Sequence, residues 1–307
     1  MNISAEITSL IDEIKNNKTD GASELARQAA KVLKIAAKHS QTNSTKEFLL
    51  EQKELERRLI SARPAMAPVT NIVSRLLNTL IRKAARMDLD SIRQLAISEA
   101  DKLVADSLKA IAQIAKYSSR LIIDGDKIMT HSYSSTVVAA LKEAFSKHAD
   151  VEVVTTRSGP GHTGERIAQE LGDHGIPVTL IGDTAVGLYI SNVNKVMVGA
   201  DRVCADGAVV NGIGTYQLAL VSERDKIPFY VLCDTLKFDP KLKSNEVELE
   251  EKEPSEIVEP GRLPPKVRIK NPYFDITPPE LVTAVVTENE LFTAKKLSTI
   301  WKETLVK

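Results

Sequence analysis

The chain has 307 residues, of which 43% are hydrophobic and 27% charged, a composition ordinary for a globular protein of about two domains. Its 41 basic and 41 acidic residues balance, and aromatic residues make up 4%, so both numbers argue against an extended nucleic-acid interface. The two cysteines, Cys204 and Cys233, form neither a disulfide framework nor a zinc motif. Because neither a signal-peptide pattern nor an apolar run of about 20 residues is found, we expect a cytoplasmic protein with no membrane partner. We also expect no metal and no cofactor.

The first part of the chain carries helical patterns and almost no strand signal. Apolar residues recur at helical spacing in residues 25–36 and 69–80, and a long amphipathic helix is predicted for 92–114. These patterns predict a helical domain over residues 1–120. Arg63 precedes Pro64 between two predicted helices, where it either belongs to a simple connector or reaches the phosphate of a ligand.

From residue 121 onwards, short apolar strands alternate with helices. The predicted strands are 128–130, 151–155, 177–181, 196–198 and 229–232, and the predicted helices are 136–145, 163–171 and 185–189. This alternation is typical of a parallel, doubly wound sheet and predicts a Rossmann-like α/β domain over residues 121–307. The charged residues 241–266 form either a solvated surface loop or a lid or partner surface.

Carboxylates follow three of the predicted strands. Asp183, Asp201 and Asp234 are expected to converge at the carboxyl edge of the sheet, where open α/β sheets bind ligands. Lys237 is near enough in sequence to bind an anion in the same crevice. Asp201, close to a cation such as Lys237, could take a proton from or give one to a sugar carbon. The turn from Asn211 to Thr215 can open a helix whose free N–H groups bind an anion.

Two further loops carry candidate binding groups. The hydroxyls of residues 130–134 either cap a helix or bind phosphate, and His131 is either a general acid/base or a structural histidine. In residues 157–164, Arg157 can clamp a phosphate while the glycines let the backbone approach it. The spacing of these glycines formally matches the dinucleotide fingerprint, but Pro160 and the position after the second strand favour a simpler phosphate loop.

Together these motifs resemble one family. They are Thr130-His131-Ser132-Tyr133-Ser134, Gly199-Ala200-Asp201, Asn211-Gly212-Ile213-Gly214-Thr215, Asp234-Thr235-Leu236-Lys237-Phe238 and the segment Asn271 to Glu280. They are similar to the alpha/beta/delta subunit family of eukaryotic translation initiation factor 2B, with its archaeal homologues, ribose-1,5-bisphosphate isomerase and methylthioribose-1-phosphate isomerase. The resemblance implies a helical domain followed by a Rossmann-like domain, and assembly into homodimers or larger oligomers, including hetero-oligomers with paralogous subunits.

The resemblance also implies site residues and reveals two departures. The family's isomerases use a cysteine and an aspartate; Asp201 matches the aspartate, whereas Ser132 stands at the cysteine position. Their Arg-Gly-Ala motif reads Asp20-Gly21-Ala22 in this chain. A serine hydroxyl is a much weaker acid than a thiol, so the departures favour a protein that is not an enzyme.

The expected function is therefore a regulatory subunit that acts on initiation factor 2. It would bind a small phosphorylated ligand, a sugar phosphate or nucleotide, in a retained pocket. The candidate ligand-binding residues are Arg63, His131, Arg157, Asn211 and Lys237. One alternative is an aldose-ketose isomerase that converts ribose 1,5-bisphosphate to ribulose 1,5-bisphosphate with Asp201 and either Ser132 or His131. Another alternative is a scaffold that binds no ligand.

Overall fold

The computed structural model describes residues 3–148 and 150–293. The chain divides into two compact units, Met1–Lys109 and Ala110–Lys307. This division falls before the predicted boundary at residue 120, because the last turns of the fifth helix contribute Ile114 to the core of the second unit. The end of the predicted α/β domain, residues 294–307, lies outside the described residues.

The first unit is built from helices. They are α1 (Ala5–Asn16), α2 (Ala22–His39), α3 (Thr45–Ala62), α4 (Ala67–Ala84) and α5 (Leu89–Ser118), the last of which continues into the second unit. Serine side chains begin two of them: Ser4 accepts a hydrogen bond from the amide of Ile7, and Ser44 accepts one from Glu47. Helix α4 packs against α2 and α3 and buries one apolar stripe. No helix among the described residues is long and apolar enough to span a membrane.

The second unit alternates strands and helices as expected. Its elements are β1 (Lys127–Thr130), α6 (Ser135–Phe145), β2 (Glu152–Thr156), α7 (Thr163–Gly172), β3 (Val178–Ile181), α8 (Val186–Tyr189), β4 (Lys195–Val198), β5 (Arg202–Val203), β6 (Val209–Gly212), α9 (Thr215–Arg224), β7 (Phe229–Leu232), β8 (Phe274–Thr277), β9 (Ala284–Val286) and β10 (Leu291–Phe292).

Seven of these strands form one sheet in the order β10-β9-β7-β4-β1-β2-β3. Every neighbouring pair is parallel except β9 with β10. The order reverses between β1 and β4, and such a switch point opens a crevice outside the carboxyl ends of the strands. The predicted fold, a helical part followed by a mostly parallel α/β part, is confirmed.

A second, smaller sheet was not predicted from the sequence. Strands β5, β6 and β8 are antiparallel to their neighbours, with β6 in the middle. Strand β5 starts immediately after Asp201, and β8 comes from the Asn271–Glu280 segment. The small sheet therefore lies at the carboxyl end of β4 and brings a distant part of the chain to that edge of the main sheet.

Candidate active site

The loops that follow β1, β4 and β6 meet at the switch point. Strands β1 and β4 are parallel neighbours, with Met129 opposite Val196, so the segments after Thr130 and Val198 leave the sheet at the same edge. A Cβ atom at Gly199 would lie 2.7 Å from Ser134 Oγ, and one at Gly212 would lie 2.7 Å from Ser132 Oγ. Only glycine allows this close approach, and these loops enclose the candidate site.

Asp201 and Lys237 belong to the same edge. Asp201 is 9% exposed, and its backbone N–H donates to the carbonyl of Val210 at 2.8 Å. The ammonium of Lys237 is also buried and donates to the carbonyl of Ala200, the residue before Asp201, at 2.6 Å. The structure thus brings Lys237 to the backbone next to Asp201, as expected from the sequence. Their catalytic and ligand-binding roles stay predictions.

His131 is fixed by its neighbours. Its Nε2 lies 2.7 Å from the carbonyl oxygen of Ile213, which can only accept, so Nε2 carries the proton. Its Nδ1 lies 2.6 Å from the hydroxyl of Thr156, which therefore donates to it. Burial lowers the pKa of His131, which keeps the ring neutral. Since both ring nitrogens are bonded inside the protein, the structure favours the structural interpretation of His131, and its ligand-binding role stays a prediction.

A chain of hydrogen bonds connects His131 to Ser132. The amide of Ser132 donates to Ser158 Oγ at 2.8 Å, and Ser158 Oγ lies 2.9 Å from the hydroxyl of Thr156 that contacts the histidine. Ser132 and Ser158 both have left-handed backbones, with φ of 62° and 59°. Left-handed non-glycine residues often lie at functional sites, where the surrounding structure holds them. Ser132 is partly exposed, with its hydroxyl 3.3 Å from Thr163 Oγ1, whereas His131 is buried.

Asn211 lies near the end of β6, just before the turn that starts α9, and amides of that turn are not free. Its side chain donates to Thr215 Oγ1 at 3.0 Å. The carboxylate of Asp275 accepts from the amides of Gly214, at 2.7 Å, and Tyr216, at 3.1 Å. The expectation that this turn offers free N–H groups to an anion is therefore wrong, because an internal carboxylate occupies them. Ligand binding by Asn211 stays a prediction.

The three strand-end aspartates do not all follow neighbouring strands. Asp183 follows β3, which is three strands away from β4, a separation of about 14 Å across the sheet. Its carboxylate accepts from the amides of Ser158 and Gly159 at 2.7 and 2.9 Å, and so holds the glycine-rich loop after β2. Asp234 accepts from the amide of Leu236 and caps a short turn. Asp201 and Asp234 follow the neighbouring strands β4 and β7, and β4 is also the neighbour of β1.

The two predicted arginines have local partners. Arg157 is exposed and donates from Nε to Glu165 at 2.7 Å, with its guanidinium 3.3 Å from His162 Nδ1. Arg63 belongs to the helical unit, where it is buried and donates to the backbone carbonyls of Ile14, at 3.0 Å, and Asn17. These contacts favour the connector interpretation of Arg63. Phosphate binding by either arginine stays a prediction.

Four side chains that organise this site were not predicted from the sequence. They are Thr156, Ser158, Thr163 and Asp275. Thr156 ends β2, and Ser158 and Thr163 come from the segment after it, which was considered only for its arginine and glycines. Asp275 lies in the Asn271–Glu280 motif, which contributed to the resemblance but received no role of its own. The sequence feature that could have indicated Asp275 is its position as a single acidic residue in an apolar segment flanked by prolines.

The charged segment that follows β7 also reaches this region. Tyr273 donates from its hydroxyl to Glu256 at 2.6 Å, and its ring would lie 3.6 Å from a Cβ atom at Gly161. Its carbonyl accepts from the amide of Ile213 at 2.9 Å. The charged segment is therefore linked through Glu256 to Tyr273, which itself contacts both glycine-containing loops. This link favours a role near the site over a purely solvated loop.

Known proteins similar to this chain include several sugar-phosphate isomerases. It is 35% identical over 288 residues to ribose 1,5-bisphosphate isomerase of Pyrococcus furiosus, covering 92% of this chain and 89% of that protein. The enzyme of the same name from Methanocaldococcus jannaschii is 37% identical over 279 residues, covering 90% of this chain and 88% of that protein.

These relatives overturn the expected regulatory function. Isomerases of the same name from Thermococcus kodakarensis, Haloferax volcanii and Archaeoglobus fulgidus are each 32% identical to this chain. Relatives named for a subunit of the initiation factor carry that name only as putative. The expectation of a regulatory subunit acting on initiation factor 2 is wrong, and the expectation of a protein without enzymatic activity loses its support. The expectation of a protein without enzymatic activity rested on Ser132 and Asp20 alone.

The fold and the family agree with the resemblance. The structure matches the translation initiation factor eIF-2B of Pyrococcus horikoshii OT3 with a TM-score of 0.82 and 31% identity, covering 95% of this chain and 98% of that one. The sequence model of the initiation factor 2 subunit family matches residues 18–293. This chain belongs to the initiation factor 2 subunit family.

Proposed function

We propose that this chain is an aldose–ketose isomerase that converts ribose 1,5-bisphosphate to ribulose 1,5-bisphosphate. The observation that carries the proposal is the position of Asp201, a nearly buried carboxylate at the carboxyl end of β4, beside the Ser132 loop of the neighbouring strand. It is supported by the identity of 35–37% to ribose 1,5-bisphosphate isomerases over about nine-tenths of the chain.

The reaction requires two proton-handling groups. In the substrate, C1 carries a phosphate and the ring oxygen; in the product, C1 is a CH₂ group and C2 is a ketone. The bond between C1 and the ring oxygen breaks, the ring oxygen gains a proton, the C2 hydroxyl loses one, and the hydrogen on C2 moves to C1. The hydrogen lost by C2 is the one C1 gains, so the reaction is redox-neutral overall. The site must therefore provide one proton acceptor and one proton donor.

Asp201 suits the acceptor role. A carboxylate oxygen accepts a proton readily, and Lys237 holds the backbone of Ala200, the residue before Asp201. Ser132 is the more accessible partner on the β1 loop, whereas both His131 nitrogens are bonded to Thr156 and Ile213. We therefore assign Asp201 as the base and the Ser132 hydroxyl as the group that passes the second proton. A hydroxyl does this less effectively than a thiol, so the turnover should be slow.

The remaining predicted residues would bind the phosphates. Lys237 donates to the carbonyl of Ala200 beside Asp201, Arg157 lies on the loop after β2, and Asn211 lies near the end of β6. The Arg157–Glu165 ion pair is exposed, so an arriving phosphate can replace the carboxylate at little cost. Arg63 is the weakest of these assignments, because its guanidinium holds backbone carbonyls in the helical unit.

The proposal is tested by incubating purified protein with ribose 1,5-bisphosphate and following ribulose 1,5-bisphosphate by phosphorus NMR. We expect turnover by the wild type and its loss in Asp201→Asn. Asp234→Asn is the matched control, since this carboxylate also follows a strand but caps a local turn. A parallel reaction with 5-methylthioribose 1-phosphate checks the substrate class, because a structure named for that isomerase matches with a TM-score of 0.79. Turnover of that compound alone would contradict the proposed substrate.

Self-association remains part of the proposal. Exposed apolar side chains on the α/β unit support it: Leu180 on the edge strand β3, Leu188 on α8 and Leu220 on α9. Light scattering during size-exclusion chromatography should give the mass of a dimer or a larger oligomer. A monomeric mass at micromolar concentration would contradict this.

A further inference from the structure

Asp275 is a half-buried carboxylate for which the proposed reaction has no direct use. It lies on β8 directly opposite Asn211 on β6, so the two side chains share one face of the small sheet. Its Oδ2 accepts from the amides of Gly214 and Tyr216, at 2.7 and 3.1 Å, which are the first free donors of α9. Asn211 donates to Thr215 in the same turn at 3.0 Å. Two neighbouring side chains of the small sheet therefore hold one turn.

This turn contacts both residues that follow β1. The carbonyl of Ile213 accepts the proton of His131 Nε2 at 2.7 Å. Gly214, with φ of 103°, lies so close to the same ring that a Cβ atom would be 2.8 Å from it. A Cβ atom added at Gly212 would likewise lie 2.7 Å from Ser132 Oγ. A displacement of the turn would therefore move the residues that fix Ser132.

The environment of Asp275 is unfavourable for a carboxylate that only caps a helix. Its Oδ1 is buried and has no hydrogen-bond partner among the described residues. Burial raises its pKa to about 6, although the two amides favour the ionised form. An exposed serine, threonine or asparagine would cap α9 without this cost. The placement indicates that the position of the turn, and not only the helix end, depends on Asp275.

We propose that Asp275 is a positioning residue of the isomerase site: it anchors the Asn211–Gly214 turn, and through it His131 and Ser132, in the arrangement that the reaction needs. This inference rests on the proposed function. A catalytic group that is misplaced on the order of 1 Å can lower a rate by about 10²-fold. The expected effect of losing Asp275 is therefore on kcat, while the affinity for the phosphates changes less.

The test compares Asp275→Ala, which removes the acceptor, with Asp275→Asn, which keeps one carboxamide oxygen for the amides. Asp88→Ala is the matched control, since Asp88 accepts from the amide of Ser91 at 2.8 Å at the start of α5 and lies in the helical unit. We expect Asp275→Ala to lower kcat on ribose 1,5-bisphosphate by at least about tenfold with KM within about threefold. Asp275→Asn should recover most of this loss, and Asp88→Ala should lower stability but leave kcat unchanged.

A second measurement is independent of activity. In protein with ¹⁵N-labelled histidine, the Nε2 proton of His131 should exchange slowly, because it is buried and bonded to Ile213. We expect this resonance to be lost or shifted in Asp275→Ala and retained in Asp275→Asn and Asp88→Ala. An unchanged resonance in both Asp275 variants would overturn the inference, as would an unchanged kcat. If wild-type protein shows no isomerase activity, the proposed function fails, and the resonance still decides whether Asp275 positions the turn.

Discussion

Replacing Gly212 by alanine should disturb Ser132 directly. The added Cβ would lie 2.7 Å from Ser132 Oγ and 2.9 Å from Ser132 Cβ, and the second of these atoms cannot rotate away. Gly212 does not have a left-handed backbone, so the substitution introduces no dihedral strain and the contact alone determines the effect. Overpacking of this kind costs about 1–3 kcal/mol. We expect Gly212→Ala to lower the free energy of unfolding of the α/β unit by this amount, measured by urea titration with circular dichroism.

Two controls isolate the contact. Gly182 also follows a strand, has nothing within 4 Å of its Cβ position and has an ordinary backbone, so Gly182→Ala should change stability by less than about 0.5 kcal/mol. Combining Gly212→Ala with Ser132→Gly removes both atoms of the clash and should recover the lost stability, giving a coupling above about 1 kcal/mol. The reasoning is refuted if Gly212→Ala is as mild as Gly182→Ala, or if the two substitutions at 212 and 132 are additive.

Three further predictions concern Ser132, the two cysteines and Asp275. Ser132→Cys should raise kcat on ribose 1,5-bisphosphate by about tenfold or more near pH 8, since a thiol exchanges protons more readily than a hydroxyl; an unchanged or lower kcat would contradict the role of Ser132. Burial raises the pKa of Cys204 to about 12 and raises that of Cys233 as well, so a thiol reagent should modify neither in the native protein; rapid modification would show that these sites open. Burial raises the pKa of Asp275 to about 6, so the free energy of unfolding should fall by about 3 kcal/mol as the pH rises from about 4 through 6. Asp275→Asn should lack this fall, and parallel pH curves for the two proteins would contradict the prediction.

The parallel sheet could be predicted because its strands are short apolar runs separated by helices. Strand β1 was predicted within one residue, since Ile128 and Met129 stand out from the polar residues around them. The small sheet could not be predicted in the same way. Strand β5 has two residues, and β8 pairs with β6 only across more than sixty residues of intervening chain. Pairing over such a distance depends on tertiary contacts that local patterns do not encode.

The candidate site could be predicted in part, for a similar reason. Asp201 follows a buried strand at the switch point, which strand order alone makes a ligand-binding position. The convergence of Asp183 was predicted wrongly, because sequence indicates that a residue ends a strand but not how many strands separate it from the crevice. The α9 amides were predicted to be free, and Asp275, which occupies them, comes from the small sheet that the sequence did not predict.

The role of Ser132 is the point at which sequence and relatives disagree. A missing thiol argued against catalysis, whereas the identity to ribose 1,5-bisphosphate isomerases argues for it. In the structure Ser132 is held in a left-handed conformation by Ser158, with its hydroxyl partly exposed beside Thr163. The loop is thus organised as a site even though its side chain is a weak acid, which is consistent with a slow enzyme.

The most direct test of the proposed function is the rate at which purified protein converts ribose 1,5-bisphosphate to ribulose 1,5-bisphosphate, compared with the rate of Asp201→Asn. General acid–base catalysis by one side chain contributes about 10²–10⁴-fold. We predict measurable turnover by the wild type and a decrease of at least about 10²-fold in Asp201→Asn, with Asp234→Asn close to wild type. An absence of turnover by the wild type, or turnover that Asp201→Asn leaves unchanged, would contradict the proposed isomerase mechanism.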